Sequence, residues 1–450
     1  MKTYQSYSLN NYRQIPQVEN LSSELKTAIE VVGHVLPFKT NNYVVDELIN
    51  WQNVPNDPMF ILTFPQREML QPEHYSLMAT ALGNLSTRAE INEIATKIRL
   101  QLNPHPAGQM EHNVPKIDGV KLTGMQHKYR QTVLFFPANG QTCHAYCTFC
   151  FRWPQFVGIN EWKFAMRETE LLVSYLKQHT EVTDLLFTGG DPLIMKTKTL
   201  AAYIEPLLEE DIPNLQTIRI GTKALGYWPQ RFLFDDDADD LIHLFERIVK
   251  SGKNLSIMAH FNHPVELSTD IVKAAIKRIR ATGAQIRTQS PLLKNINDSP
   301  AIWADMWRKQ VNLSCNPYYM FIARDTGAQD YFAVPLVKAW QIFQEAYQQV
   351  SGICRTVKGP SMSCTPGKVQ VLGVSEIPFN GTRKKIITLR FLQGRNPDWI
   401  ARPFFAEYDE NARWIDELKP AFGEEKFFFE KQLAELFNEK IENPETGNLD

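Results

Sequence analysis

The sequence has no excess of either charge: 48 Lys and Arg stand against 50 Asp and Glu, a formal net charge of −2 over 450 residues. That balance excludes the electrostatic footprint with which proteins grip nucleic acid or an anionic membrane surface, so neither partner is expected. There is no run of about 18 apolar residues, which excludes a membrane-spanning helix. Met1 to Val18 carry no apolar h-region, so export through a secretory signal is not expected and a cytoplasmic setting is. Six cysteines are too few for a disulfide scaffold in a chain of this length. Internal repeats and low-complexity tracts are also lacking. What remains is an ordinary globular composition, 43 % hydrophobic and 22 % charged, long enough to bury a large core.

The pattern divides into three regions: 1–123, 124–350 and 351–450. The first reads as mainly helical, with apolar residues at helical spacing over 21–36 and 72–83 and a charged helix over 87–102. The Pro-rich passage from Asn103 to Gly108 breaks regular structure and marks a boundary. In the second region, short β-rich runs at 132–137, 184–188, 217–222, 255–260, 285–289 and 317–323 alternate with helices at 168–178, 200–209, 237–251, 268–282, 301–313 and 335–349. Six strand–helix units imply parallel pairing through right-handed crossovers. A partial barrel closes that pattern best, because no glycine-rich nucleotide loop follows the first strand. The third region reads as irregular. It ends in a helix over 426–442 whose Phe429, Leu433, Leu436, Phe437 and Ile441 form one stripe. Core packing is the first reading of that stripe, and a contact in a homo-oligomer the second.

Polar residues just past the strand ends of such a barrel converge on one face, where ligands bind. Here those positions hold a cysteine loop, then Gly189-Gly190-Asp191, then His260-Phe261-Asn262-His263, with Gln289 closing the fifth strand. The loop reads Cys143-His144-Ala145-Tyr146-Cys147-Thr148-Phe149-Cys150. Three thiolates on one tight loop can hold three irons of a [4Fe-4S] cluster and leave the fourth open to a small molecule. Phe149 would then sit over whatever binds there. The competing reading is a structural zinc with His127 or His144 as fourth ligand, but zinc sites usually add a second cysteine pair and none exists here.

These residues resemble the radical S-adenosylmethionine (SAM) enzymes, which carry this cysteine spacing in the first loop of a partial barrel. The resemblance implies SAM chelated at the open iron, reductive cleavage to a 5′-deoxyadenosyl radical, and an electron donor such as flavodoxin or ferredoxin. Further segments narrow the likeness to lysine 2,3-aminomutase and its relatives. They are Asn103-Pro104-His105-Pro106-Ala107-Gly108-Gln109, Leu186-Phe187-Thr188-Gly189-Gly190-Asp191-Pro192-Leu193, Ile218-Arg219-Ile220-Gly221-Thr222 with Pro229-Gln230-Arg231, His260 to Pro264, Gln289 to Leu293, and Pro317-Tyr318-Tyr319. The implied fold is a partial (β/α)6 TIM-like barrel with a mainly helical amino-terminal region and an irregular α+β carboxyl-terminal extension.

The family's activity is to move the α-amino group of a free amino acid to the adjacent carbon, using pyridoxal 5′-phosphate (PLP) beside SAM. By resemblance, Gly189, Gly190 and Asp191 hold the SAM amine; a tight turn with a capping aspartate is the lesser reading of the residues alone. His260, Asn262 and Gln289 would contact SAM or the second cofactor. Lys368, in Cys364-Thr365-Pro366-Gly367-Lys368, matches the PLP lysine, Tyr129 the ring that stacks on PLP, and Arg152 the arginine that grips the substrate carboxylate.

The chain also departs from the pattern. Lysine aminomutases hold the distant ammonium with two aspartates. The first position falls here on Arg324, with Asp325 beside it, and the second falls in Pro360-Ser361-Met362-Ser363, which has no acid. An inward Arg324 favours an anionic substrate such as glutamate; an inward Asp325 partly restores lysine recognition. Thr132 stands where relatives carry an arginine near the PLP phosphate, with Arg130 close by. No cysteine follows Cys364, so the structural zinc of some relatives is not expected. A radical SAM enzyme that does without PLP, and a non-catalytic iron–sulfur protein, are the alternatives. The tail from Val369 to Asp450 carries no assignable chemistry.

Overall fold

The computed structural model describes residues 3–84 and 86–442. Near the amino terminus lie helices α1 (Ser23–Val35), α2 (Pro58–Thr63), α3 (Pro72–Gly83) and α4 (Arg88–Gln101). Their starts are set locally. Ser22 accepts from the Leu25 N–H, Asp57 accepts from the Phe60 N–H ahead of Pro58, and Thr87 and Glu90 cap each other's backbone.

Eleven strands form one sheet among the described residues, and their order in space is their order in the chain. They are β1 (Met125–Tyr129), β2 (Thr132–Phe135), β3 (Asp184–Phe187), β4 (Thr217–Thr222), β5 (Asn254–His260), β6 (Gln285–Leu292), β7 (Asn316–Ile322), β8 (Lys358–Ser363), β9 (Gly367–Phe379), β10 (Thr382–Gly394) and β11 (Pro403–Glu407). From β2 to β8 every pair is parallel; β1 and the strands after β8 run antiparallel. Helices α5 (Thr169–Gln178), α6 (Thr197–Glu209), α7 (Ala238–Lys250), α8 (Asp270–Ala281), α9 (Pro300–Asn312) and α10 (Leu336–Gln348) fill the crossovers.

A doubly wound sheet would reverse its strand order at a switch point, and this one never does. With every crossover of one hand, the sheet curls toward a cylinder. Lys128 on β1, the antiparallel neighbour of β2, donates to the Cys364 carbonyl just past β8, so the two ends of the parallel set are brought together. The fold is a partial barrel. Ile218 and Ile220, Leu255 and Ile257, and Leu241, Phe245 and Ile248 of α7 are all buried in the layer between strands and helices.

A second apolar cluster joins the amino-terminal helices to Ala145, Trp153, Tyr227, Trp228, Leu293 and Phe332. These residues follow barrel strands, so the amino-terminal region lies over the face where the strands end. No helix among the described residues is long and apolar enough to cross a membrane.

Two expectations need correction. Gln289 does not close its strand: β6 runs on to Leu292, with a register shift between Thr288 and Gln289. The region after 351 is not irregular, because β8 extends the parallel set and β9 and β10 form a hairpin of 13-residue strands. Its outer half alternates weakly because both faces are largely exposed. The turn signal was nevertheless present: Asn380 and Gly381 both take positive φ, as a two-residue hairpin loop requires. In the final helix, α11 (Glu430–Glu442), Phe429 is buried, Leu433 and Leu436 pack on the core, and Phe437 stacks on His112 at 4.2 Å. That is core packing; the Ile441 side chain lies outside the described residues.

Candidate active site

Cys143, Cys147 and Cys150 lie on the loop after β2, and the amino-terminal region grips that loop through its backbone. Lys39 Nζ donates to the Cys143 carbonyl at 2.7 Å, and the Tyr4 hydroxyl to that of His144 at 2.7 Å. Asn41 Nδ2 donates to the carbonyls of His144 and Tyr227 at 3.2 and 2.9 Å. Thr148 donates from its N–H to Leu62 and from its hydroxyl to Ile61. From below, the loop rests on the turn after β3. A Cβ on Gly190 would stand 2.5 Å from both the nitrogen and the oxygen of Thr142, and Gly189 has a φ of +142°. The glycines are there for close backbone contact with the cysteine loop.

The Asp191 carboxylate is buried and accepts from the N–H groups of Leu193 and Lys223, at 2.9 and 2.8 Å, and from the Thr222 hydroxyl at 2.8 Å. It ties the turn after β3 to the turn after β4. Burial raises its pKa to about 6, against those hydrogen bonds. Beyond it, Lys223 pairs with the buried Glu266, whose other oxygen accepts from the N–H groups of Asn262 and His263. One polar chain therefore runs from the turn after β3 to the turn after β5.

Burial pushes the Cys147 thiol up to about 12, opposed by the Lys223 charge. Cys143 is raised by burial, by Asp191 and by its two neighbouring thiols, while Lys39 acts against the rise. Three such sulfurs become thiolates only with metal to balance them. No group of three or more His, Cys, Asp or Glu among the described residues converges on a single metal-ion position. The His127 ring is engaged with Tyr175 and the Arg130 carbonyl. His144 is buried, with its pKa lowered to about 3. Three thiols on one loop are the donor set that can hold three irons of a cluster and leave the fourth open. Tyr227, which the sequence did not single out, places its hydroxyl 3.5 Å from Cys147 Sγ.

Past the end of β5, the His260 imidazole is held neutral by burial and by Lys223, with a pKa of about 3. Asn262 donates to Ser290 Oγ at 2.8 Å, while its Oδ1 is buried without a partner. Gln289 is half-buried, and its carbonyl accepts from the Phe261 N–H. Phe149 meets Phe332 edge-on at 6.3 Å, under the amino-terminal cover.

Lys368 opens β9, opposite Ser363. Its Nζ lies 4.1 Å from the Tyr319 ring centroid, 5.4 Å from that of Phe321 and 5.9 Å from that of Tyr129. It meets no hydrogen-bond acceptor among the described residues. Burial, Arg219 and Lys358 lower its pKa to about 7. Arg219 itself is held by Asp184 through both carboxylate oxygens, and Thr132 donates to the same carboxylate. The Tyr129 hydroxyl is buried without a sound hydrogen bond. Arg130 is exposed on the turn before β2.

Arg152 and Arg324 share a ring. The Arg152 guanidinium lies 4.2 Å from the Phe136 centroid and 4.9 Å from that of Phe151; Arg324 lies 5.4 Å from Phe151 and 6.0 Å from Trp414. Asp325 is turned toward Asn103, which donates to its carboxylate at 3.2 Å and to its carbonyl at 2.6 Å. Phe321 escaped the sequence reading because strand alternation marks such a residue only as core, and Lys223 and Trp414 because they lie on connections with no motif of their own.

A curled parallel sheet with three thiols on the loop after its first parallel strand is the arrangement expected of a radical SAM fold. A protein of Aquifex aeolicus, provisionally named an L-lysine 2,3-aminomutase, is 28 % identical over 410 residues, covering 91 % of this chain and 95 % of its own. The L-lysine 2,3-aminomutase of Haemophilus influenzae is 30 % identical over 226 residues, covering 50 % of this chain and 62 % of its own. That of Clostridium subterminale is 26 % identical over 264 residues, covering 59 % and 60 %. The chain thus spans about three fifths of these last two relatives. No family model matches the chain. A solved radical SAM methyltransferase from Sphaerobacter thermophilus overlaps 53 % of this chain and 68 % of its own at 15 % identity, with a TM-score of 0.36. The chain is similar, over half or more of its length, to proteins named L-lysine 2,3-aminomutase, a likeness that supports the radical SAM family and with it a [4Fe-4S] cluster and SAM.

Proposed function

We propose that this chain is a PLP-dependent aminomutase that moves the amino group of a free α-amino acid to the neighbouring carbon. One observation carries the reading: the Lys368 amine, with no acceptor among the described residues, stands among the rings of Tyr319, Phe321 and Tyr129 in the sheet whose first parallel strand leads into the cysteine loop.

When bound, the cluster and SAM supply a radical able to abstract hydrogen, and PLP supplies the π system across which an amine can migrate. The chain's own residues do the rest. Lys368, neutral in a large fraction near pH 7, would be the amine that holds PLP. Tyr129, Tyr319 and Phe321, the rings around that amine, would flank it. Arg152 holds the substrate carboxylate with its planar fork. The amino-terminal cover keeps water from the radical. An outside donor such as flavodoxin or ferredoxin supplies the electron.

Protein reconstituted without oxygen tests this. Wild type is expected to show visible PLP absorbance that Lys368→Ala lacks. Both should form 5′-deoxyadenosine from SAM and dithionite, and Cys147→Ala should not. A wild type with an intact cluster that takes up no PLP would falsify the aminomutase reading.

A further inference from the structure

We propose that the outer side of the barrel carries a second ligand site, which takes a nucleoside phosphate between helix α10 and the strands β8 to β10. A cavity of about 560 Å³ lies there, within the range of about 300–1,000 Å³ that holds small ligands. Neither Lys368 nor any cysteine of the loop after β2 lines it.

Two kinds of group line the cavity. From one face of α10 come the half-buried rings of Trp340, Phe343 and Tyr347, spaced at three and four residues. The last two rings stand 4.4 Å apart, and Tyr347 is fixed by its hydroxyl, which donates to the Val357 carbonyl at 2.9 Å. The other group is cationic: Arg355 before β8, Lys358 at its start and Arg390 on β10. One device holds both arginines. Arg355 Nε donates to the Tyr347 and Val350 carbonyls at 3.0 and 3.1 Å. Arg390 Nε donates to Gln370 Oε1 at 3.0 Å, and Gln370, only 8 % exposed, donates in turn to the Gly359 carbonyl at 3.0 Å. Each guanidinium spends its Nε on the protein and keeps its terminal N–H groups, the edge that grips phosphate oxygens in parallel.

The charge here departs from that of the rest of the molecule. Over the chain the signs balance to −2, and cations elsewhere on the surface are paired, Lys177 with Glu210, Arg247 with Glu205 and Arg413 with Asp330. No Asp or Glu lines this cavity, and none among the described residues forms an ion pair with its three cations. Like charges gathered in a cleft draw in an anion. Rings beside them suit a ligand that joins a flat ring to that anion, since stacking is open to any base. A phosphate monoester, at about −1.5 to −2 near pH 7, answers three cations better than a carboxylate does.

The cavity also adjoins the barrel interior. The Lys358 ammonium stands 5.4 Å from the Tyr318 centroid, Tyr318 lies 4.2 Å from Tyr319, and Tyr319 lies 4.1 Å from the Lys368 amine. On the reading that Lys368 holds PLP, this line gives the site a regulatory effect. Lys368 is faced by Lys358 on β8, Arg219 on β4 with its partner Asp184 on β3, Lys128 and Tyr129 on β1, and Tyr319 on β7. A phosphate paired with Lys358 cancels one of the cations that favour the neutral amine, so the ligand slows PLP uptake near pH 7.

Calorimetry on the holoenzyme, with PLP bound, SAM at saturation and no reductant, tests the site. AMP, GMP and CMP are the probes, with adenosine and inorganic phosphate as half-ligands. At least one nucleotide should bind once per chain, about 10-fold or more tightly than either half-ligand. Arg390→Gln and Arg355→Gln, made separately, should each weaken it about 10-fold at an unchanged melting temperature. No saturable nucleotide binding overturns the inference, as does equal binding of phosphate alone, competition with SAM, or full affinity in both folded variants. In cluster-loaded protein without PLP, the bound nucleotide should move the midpoint of PLP uptake to higher pH; a midpoint that stays put refutes the link to Lys368. Protein that takes up no PLP sinks the aminomutase and this link together, while the calorimetry still decides the site.

Discussion

Lys368 differs from an ordinary surface lysine through what surrounds it. Burial and the charges of Arg219 and Lys358 hold its pKa at about 7, so its neutral, nucleophilic fraction grows as pH rises through that value. PLP uptake, followed by absorbance after rapid mixing, should therefore speed up between about pH 6 and pH 8 and then level off. Lys358→Met removes one of the cations, so the midpoint should move to higher pH; a midpoint that stays put counts against the assigned cause. Tyr227 is a second case. With a cluster bound at Cys147, its hydroxyl would be left to donate, and donation to a cluster sulfur raises the reduction potential. Tyr227→Phe should give a more negative potential in a redox titration followed by electron paramagnetic resonance. The cysteines were legible because their spacing lies within eight residues. Tyr227 was not, because it reaches Cys147 only after two turns, distant in sequence, have packed together.

Among the elements, the turn after β3 shows how a motif can be read correctly as a pattern and still be unclear in purpose. Gly189-Gly190-Asp191 reads first as a ligand cradle and second as a tight turn. The structure shows Gly190 against Thr142 and Asp191 bracing the next turn. Gly190→Ala would push a methyl group into the Thr142 backbone, which has no flexible side chain to yield there. The expected result is a folded protein whose iron content after reconstitution falls well below wild type, measured beside an unchanged far-ultraviolet circular dichroism spectrum. Barrel strands and helices were legible to within about three residues, since buried parallel strands and amphipathic helices carry strong apolar periods. The β9–β10 hairpin was missed because exposure on both faces erases that period, leaving only Asn380-Gly381 as a sign.

At the scale of the whole molecule, the amino-terminal region was legible as helical but not as a cover. Its grip on the cysteine loop uses Lys39, Tyr4 and Asn41 against backbone carbonyls, and such contacts leave no residue pattern. The partial barrel was legible because six strand–helix units left few topologies. Its strand order carries a consequence for biogenesis. Every strand pairs with the one translated just before it, so the sheet can grow at the pace of the ribosome without waiting for a distant partner. The cover is already synthesised when Cys143 emerges, while Lys368 arrives only after seven parallel strands are laid down. The cysteine loop is thus sheltered early in the life of the chain, and the buried amine of Lys368 is added late.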